Sequence, residues 1–172
     1  MKKIIITLGI ILTLGIISVY LFSVFNCKYD YIKSIEIDLP NDSKELKFLD
    51  THGGFHGDGE CIVEQQLTEK GAKEFIKNAN KTGKWSALPL NSEFKIYLYG
   101  GRFNNVEFGE KDIPSKNIPR NLNHGIYYFR DRYAEYYPNE ANKSFLRRCA
   151  TNATISILDT DTNKLYIYEI DT

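Results

Sequence analysis

Cysteine is scarce in this chain, with three in 172 residues, and no Cys-x-x-Cys occurs. Three cannot all pair within one chain, and without that spacing a structural zinc site built on thiolates is disfavoured. Cys61 and Cys149 could bridge outside the cytoplasm. Two buried thiols, with Cys27 next to the membrane, fit the sequence equally well. Net charge is also missing: 22 Lys+Arg balance 22 Asp+Glu. Lys2 and Lys3 are the sole charged residues of the first 27, so the rest carries slightly more acid than base. No clustered basic face points to nucleic acid, and no polybasic run points to anionic lipid. Internal repeats and low-complexity segments are absent. So are the catalytic and metal signatures G-x-S-x-G, H-E-x-x-H, H-x-H-x-D-H and the EF-hand loop.

What is present begins at the N-terminus. The apolar run Ile4 to Phe25 would be ~33 Å long as a helix at ~1.5 Å per residue, enough for a hydrocarbon core of ~30 Å. With Lys2 and Lys3 before it, the run reads as an uncleaved signal anchor with its N-terminus in the cytoplasm. Residues 1–27 are then the membrane anchor and 28–172 a single extracellular domain of a single-pass cell-membrane protein. Two alternatives stay open. A cleaved signal peptide would need a small-x-small site, and the nearest, Leu21-Phe22-Ser23, lies inside the run. A lipid on Cys27 would follow Phe25 and Asn26, where small residues belong. Beyond the anchor, roughly 145 residues make one domain with a real core.

Within that domain strands dominate. Alternation predicts strands over 31–39, 44–50, 61–67, 93–100 and 125–133, with 102–108 pairing back onto 93–100 across Gly100-Gly101. "ATISILD" and "KLYIYEIDT" read as a hairpin over Thr160–Asn163. One helix stands out at 68–85: Thr68 as N-cap, Ala72, Phe75, Ile76 and Ala79 as its apolar stripe, Gly83 as its stop. Trp85 is expected to pack it onto the sheet, Pro89 bars a central strand, and 109–124 reads as a surface loop. The fold class is α+β: an antiparallel sheet of about six strands with one main helix on a face, preceded by the transmembrane helix.

The most unusual stretch is "THGGFHGDGE", residues 51–60. Gly53, Gly54, Gly57 and Gly59 exclude a helix at ~0.5–1 kcal/mol each relative to Ala. A hairpin centred on Gly54 would set His52 opposite His56, Asp50 opposite Asp58 and Phe48 opposite Glu60, with facing Cβ atoms ~5 Å apart. In that register His52, His56, Asp58, Asp50 and Glu60 could chelate zinc or another divalent ion. A one-residue slip destroys the site. A purely structural turn, and a nest of backbone N–H groups for an anion, remain open beside it.

"DTHGGFHGDGE", the helix leading to "WSALPL", "GIYYFRDR" and the terminal "LYIYEIDT" resemble an uncharacterised family of small proteins from low-GC Gram-positive bacteria. The resemblance spans most of 45–172. It implies a Gram-positive source and an envelope location, and it brings no mechanism, since no activity is established for that family. The second candidate for function is "YYFRDRYAEYY", where Tyr128, Arg130 and Arg132 could form a partner surface, since Tyr and Arg favour contact hot spots. The sequence therefore reads as a non-enzymatic envelope module that binds a protein or small ligand. A metal-dependent hydrolase using 52–60 is the alternative, with Glu60 or Asp50 as base.

Overall fold

The computed structural model describes residues 9–19, 30–53 and 57–172. Gly54, His56, Cys27, Lys2, Lys3 and both ends of the apolar run lie outside them. Residues 9–19 are helical. Among the described residues no helix is long and apolar enough to cross a membrane.

Six described strands form one antiparallel sheet: β1 (Lys44–Asp50), β2 (Gly59–Gln66), β3 (Trp85–Ala87), β6 (Gly125–Asp131), β7 (Ala153–Asp159) and β8 (Lys164–Asp171), in the order β1-β2-β8-β7-β6-β3. The α+β class and the six antiparallel strands are as expected. The central pair β7–β8 is buried almost throughout, and its turn is built by Asp159. That carboxylate accepts from the Asp161 amide at 3.0 Å and from the Thr162 hydroxyl at 2.6 Å, a local turn bond that needs no tertiary help. β3 is an edge strand that ends before Pro89.

Helix α1 (Glu69–Thr82) starts where Thr68 accepts the Gly71 amide at 3.0 Å and stops at Gly83, whose φ of 66° only glycine adopts cheaply. Its buried residues Ala72, Phe75 and Ala79 recur at helical spacing and face the sheet. Trp85 locks it there, edge-on to Phe75 at 5.2 Å and stacked on Tyr128 at 5.4 Å.

Four expectations fail. Residues 31–39 are no strand: 30–33 are helical and 34–37 turn. Buried Tyr31 and Ile35 satisfy an i,i+4 spacing as well as an alternating one, and Ser34 bonds the Tyr31 carbonyl at 2.6 Å, closing the turn. Residues 93–100 form helix α2 (Ser92–Tyr99), capped by Asn91, with Phe94, Tyr97 and Leu98 buried at i, i+3, i+4. The expected hairpin across Gly100-Gly101 is therefore replaced by β4 (Gly101–Phe103) with β5 (Val106–Phe108), joined through Asn104 and Asn105, both at positive φ. Asparagine tolerates that region better than most residues. Within 109–124 lies helix α3 (Asp112–Asn117), and Ile113, Ile118 and Leu122 are buried.

The last failure concerns layering. The sheet is covered on both faces, not one. α1 and residues 31–37 close one face over Val63, Leu165 and Ile167. On the other, α2, α3 and Phe145–Leu146 close over Ile62, Ile155, Ile157 and Tyr168.

Candidate functional site

Register places the polar residues. On the α1 face a mostly apolar row crosses the sheet through Phe48, Val63, Ile167, Ser156 and Tyr128. Two residues further along comes the row Asp50, Cys61, Glu169, Thr154, Arg130. Residues 31–36 strap across this polar row. Tyr31 donates to Asp50 at 3.1 Å, while Glu36 pairs with Lys84 at 2.5 Å and accepts from the Tyr128 hydroxyl at 3.3 Å. The buried Tyr128 phenol, beside the Glu36 carboxylate, is pushed up to about 12, first by desolvation and then by that charge.

The hairpin register differs from the one expected. Asp50 pairs with Cys61, Phe48 with Val63, and the Thr51 amide with the Glu60 carbonyl. His52 thus comes opposite Gly59, so Asp50 does not face Asp58, nor Phe48 Glu60; the expected His52–His56 pairing lies outside the described residues. The pairing runs out to Thr51 and Glu60, and Gly53, Gly57 and Asp58 beyond it are exposed. Gly59 serves close approach: a Cβ there would stand 2.5 Å from His52 Cα and 2.6 Å from its amide nitrogen.

Of the expected ligands the structure unites Asp50 and His52; it adds Asp171 and Glu169, which sequence reading missed, and Arg132, which was expected in a partner surface instead. His52 Nδ1 lies 2.7 Å from Asp50 Oδ1, and Nε2 lies 3.3 Å from Asp171 Oδ2. Arg132 then contacts Asp171 at 3.1 Å and Glu169 at 3.0 Å, and Thr154 donates to Glu169 at 2.9 Å. Burial raises the Glu169 carboxyl above its ordinary range, against the lowering pull of Arg132. Both imidazole nitrogens face carboxylates of their own chain, so the cluster works as a clamp. It joins the end of β1, the end of β8 and the start of helix α4 (Arg132–Tyr136). Glu60 points to the opposite face, among Tyr97 and Tyr168, whose hydroxyls it pushes up after desolvation has done so. Among the described residues no group of three His, Cys, Asp or Glu could hold a metal ion. The expected zinc site depends on His56, outside them.

Replacing Gly59 by Ala should therefore drive His52 off Asp50 and cost ~1–3 kcal/mol, as overpacking does. The check is the His52 imidazole resonance. It should move toward its free-peptide position, whereas an unmoved resonance at full stability would refute the close approach.

The expected partner surface also shifts. Tyr128 is 2% exposed. Arg130 is held by Glu135 through two bonds of 2.9 Å, and Arg132 belongs to the clamp. β6 ends at Asp131, which caps α4 by accepting the Ala134 amide at 2.9 Å. Helical spacing then presents Tyr133, Tyr136 and Tyr137 together. Tyr136 is 83% exposed and Tyr137 54%. Ring centroids are 4.8 Å apart for Tyr133–Tyr137 and 6.1 Å for Tyr136–Tyr137. With Arg130, Arg132, Glu135 and Asn152 they line a groove of about 440 Å³. The Cys61–Cys149 disulfide is not formed: Cys61 is buried in β2 and Cys149 is exposed.

Compared with models of known protein families, with curated proteins and with solved structures, the chain has no significant match.

Proposed function

We propose that the chain is a membrane-anchored module of the cell envelope. Residues 28–172 stand outside the cytoplasm and bind an envelope component in the tyrosine groove. The observation that carries this reading is the trio Tyr133, Tyr136 and Tyr137, of which Tyr136 and Tyr137 are exposed and Tyr133 is half-buried. Large aromatic rings left in water beside paired arginines are the composition of a contact site. The ionic clamp supports it by fixing Arg132, the first residue of α4, and so the direction in which the trio faces. The anchor is supported by the apolar run Ile4 to Phe25 after Lys2 and Lys3. In its helical stretch Ile10, Ile11, Leu12, Leu14, Ile16, Ile17 and Val19 are each 47–71% exposed. An apolar helix open all round calls for lipid or a partner to cover it.

The test is co-sedimentation of the full-length, detergent-solubilised protein with isolated Gram-positive cell-wall sacculi. The Tyr136→Ala/Tyr137→Ala variant should be recovered at least fivefold less than the parent protein, with its melting temperature unchanged because both side chains are exposed. Equal recovery would remove the groove as the binding face.

A further inference from the structure

We infer that the ligand of the tyrosine groove is a neutral carbohydrate, held with the apolar face of a sugar ring against the tyrosines. This rests on the preceding reading of the groove as the binding face. Its size, about 440 Å³, falls in the ~300–1,000 Å³ of small-ligand sites.

Charge narrows the ligand class. Both arginines that line the groove are already matched, Arg130 by Glu135 through two bonds of 2.9 Å and Arg132 by Glu169 at 3.0 Å and Asp171 at 3.1 Å. An anion would have to compete with these carboxylates for the guanidinium groups. A cation attracted to the ring faces would meet the same two guanidinium groups beside them. What the groove offers is a neutral mixture of donors and acceptors next to flat apolar surface.

Hydrogen-bonding capacity narrows it further. Glu135 is an acceptor, the arginines are donors, and Asn152, whose side-chain oxygen accepts the Thr172 amide at 3.2 Å, also lines the groove and carries amide N–H donors. A polyproline segment also stacks on aromatic rings, but it supplies acceptors alone. It could not use the acceptor capacity that the Glu135 carboxylate keeps beyond its two bonds from Arg130. Sugar hydroxyls both donate and accept, and the C–H face of a pyranose is apolar enough to lie on a tyrosine ring. A saccharide therefore matches both the rings and the rim.

The test uses full-length protein in a sugar-free detergent, with three probes: the β-1,4-linked N-acetylglucosamine hexamer, maltohexaose and decaproline. Saturation-transfer NMR from the tyrosine ring protons should reach the ring protons of at least one hexasaccharide. Affinity should fall at least tenfold in Tyr136→Ala/Tyr137→Ala and stay within twofold in Tyr136→Phe/Tyr137→Phe, which keeps the rings. No transfer to either saccharide, tighter binding of decaproline, or unchanged affinity in the alanine variant would each overturn the assignment. The two levels separate cleanly. If sacculus binding still depends on Tyr136 and Tyr137 while the saccharides fail, only the ligand class falls. If sacculus binding is also insensitive, the binding-face reading falls with it.

Discussion

Arg132→Ala should destabilise the domain by about 3 kcal/mol at pH 7.5 and by clearly less at pH 5. Breaking a buried ion pair by deleting one partner costs ~3–5 kcal/mol, because the other charge is left without compensation. The Glu169 side chain is 9% exposed and that of Arg132 25%, which sets this pair at the low end of the range. Nearby Asp171 and Asp50 add negative charge, and His52 is the other basic group of the cluster. The pH dependence follows from Glu169. Burial holds its carboxyl above the ordinary range, and Arg132 is the main influence pulling it down. Removing Arg132 raises it further. A carboxyl raised in the folded state favours folding at low pH, and that advantage is lost as pH rises through the folded value. The variant therefore suffers most where Glu169 must be ionised. Urea unfolding followed by fluorescence of Trp85, the lone tryptophan, measures this directly. Arg130→Ala is the control: its pair with Glu135 is half open to solvent, and loss of such a pair costs ~0–1 kcal/mol. Equal losses for the two arginines, or an Arg132 loss that ignores pH, would show that the clamp contributes little.

How much of this was legible in the sequence depended on how local the cause was. α1 announced itself because Thr68 and Gly83 act on their own neighbours, and the β7–β8 hairpin because Asp159 builds its turn within three residues. Residues 31–39 and 93–100 misled because short apolar segments can satisfy two periods at once. Phe94, Ile96 and Leu98 alternate, yet the buried set is Phe94, Tyr97 and Leu98. Asn91 before Ser92-Glu93 and Gly100 after Tyr99 were the cap signals that could have decided it.

The site follows the same rule. Asp50 and His52 were readable as a same-face pair two residues apart, but Asp171 and Arg132 join them through register set by β2 and β8, which no local pattern encodes. The Tyr-Arg block was recognised as a unit. Reading it as one strand chose Tyr128, Arg130 and Arg132. The strand stops at the Asp131 cap, and from there the tyrosines that share the groove are 133, 136 and 137, a helical spacing, with 136 and 137 exposed. A cap residue inside an aromatic run thus decided which tyrosines face solvent.

The second large effect is expected at Gly125, where β6 enters the sheet. Its φ is 133°, and a Cβ built there would stand 1.9 Å from the Leu158 carbonyl oxygen on β7. That obstacle is backbone of a buried central strand, so it cannot swing aside as a side-chain tip would. Gly125 also pairs with Asp159, and its carbonyl accepts the Leu88 amide at 3.0 Å, so moving it strains β3 as well as β7. Gly125→Ala combines overpacking at ~1–3 kcal/mol with a strained backbone at ~1–3 kcal/mol. A loss of ~3 kcal/mol or more is expected, enough to threaten a domain whose total stability is ~5–15 kcal/mol. Gly109→Ala is the matched control, since nothing lies within 4 Å of a Cβ there and its φ is not in the left-handed range. Its stability should stay within ~0.5 kcal/mol of the parent. Because β6 leads directly into the Asp131 cap, Gly125→Ala should also weaken the proposed sacculus binding where any folded protein survives. Recovery of fully folded Gly125→Ala protein, with the melting temperature of the Gly109→Ala control, would contradict the close approach of β6 to β7 and with it the placement of α4.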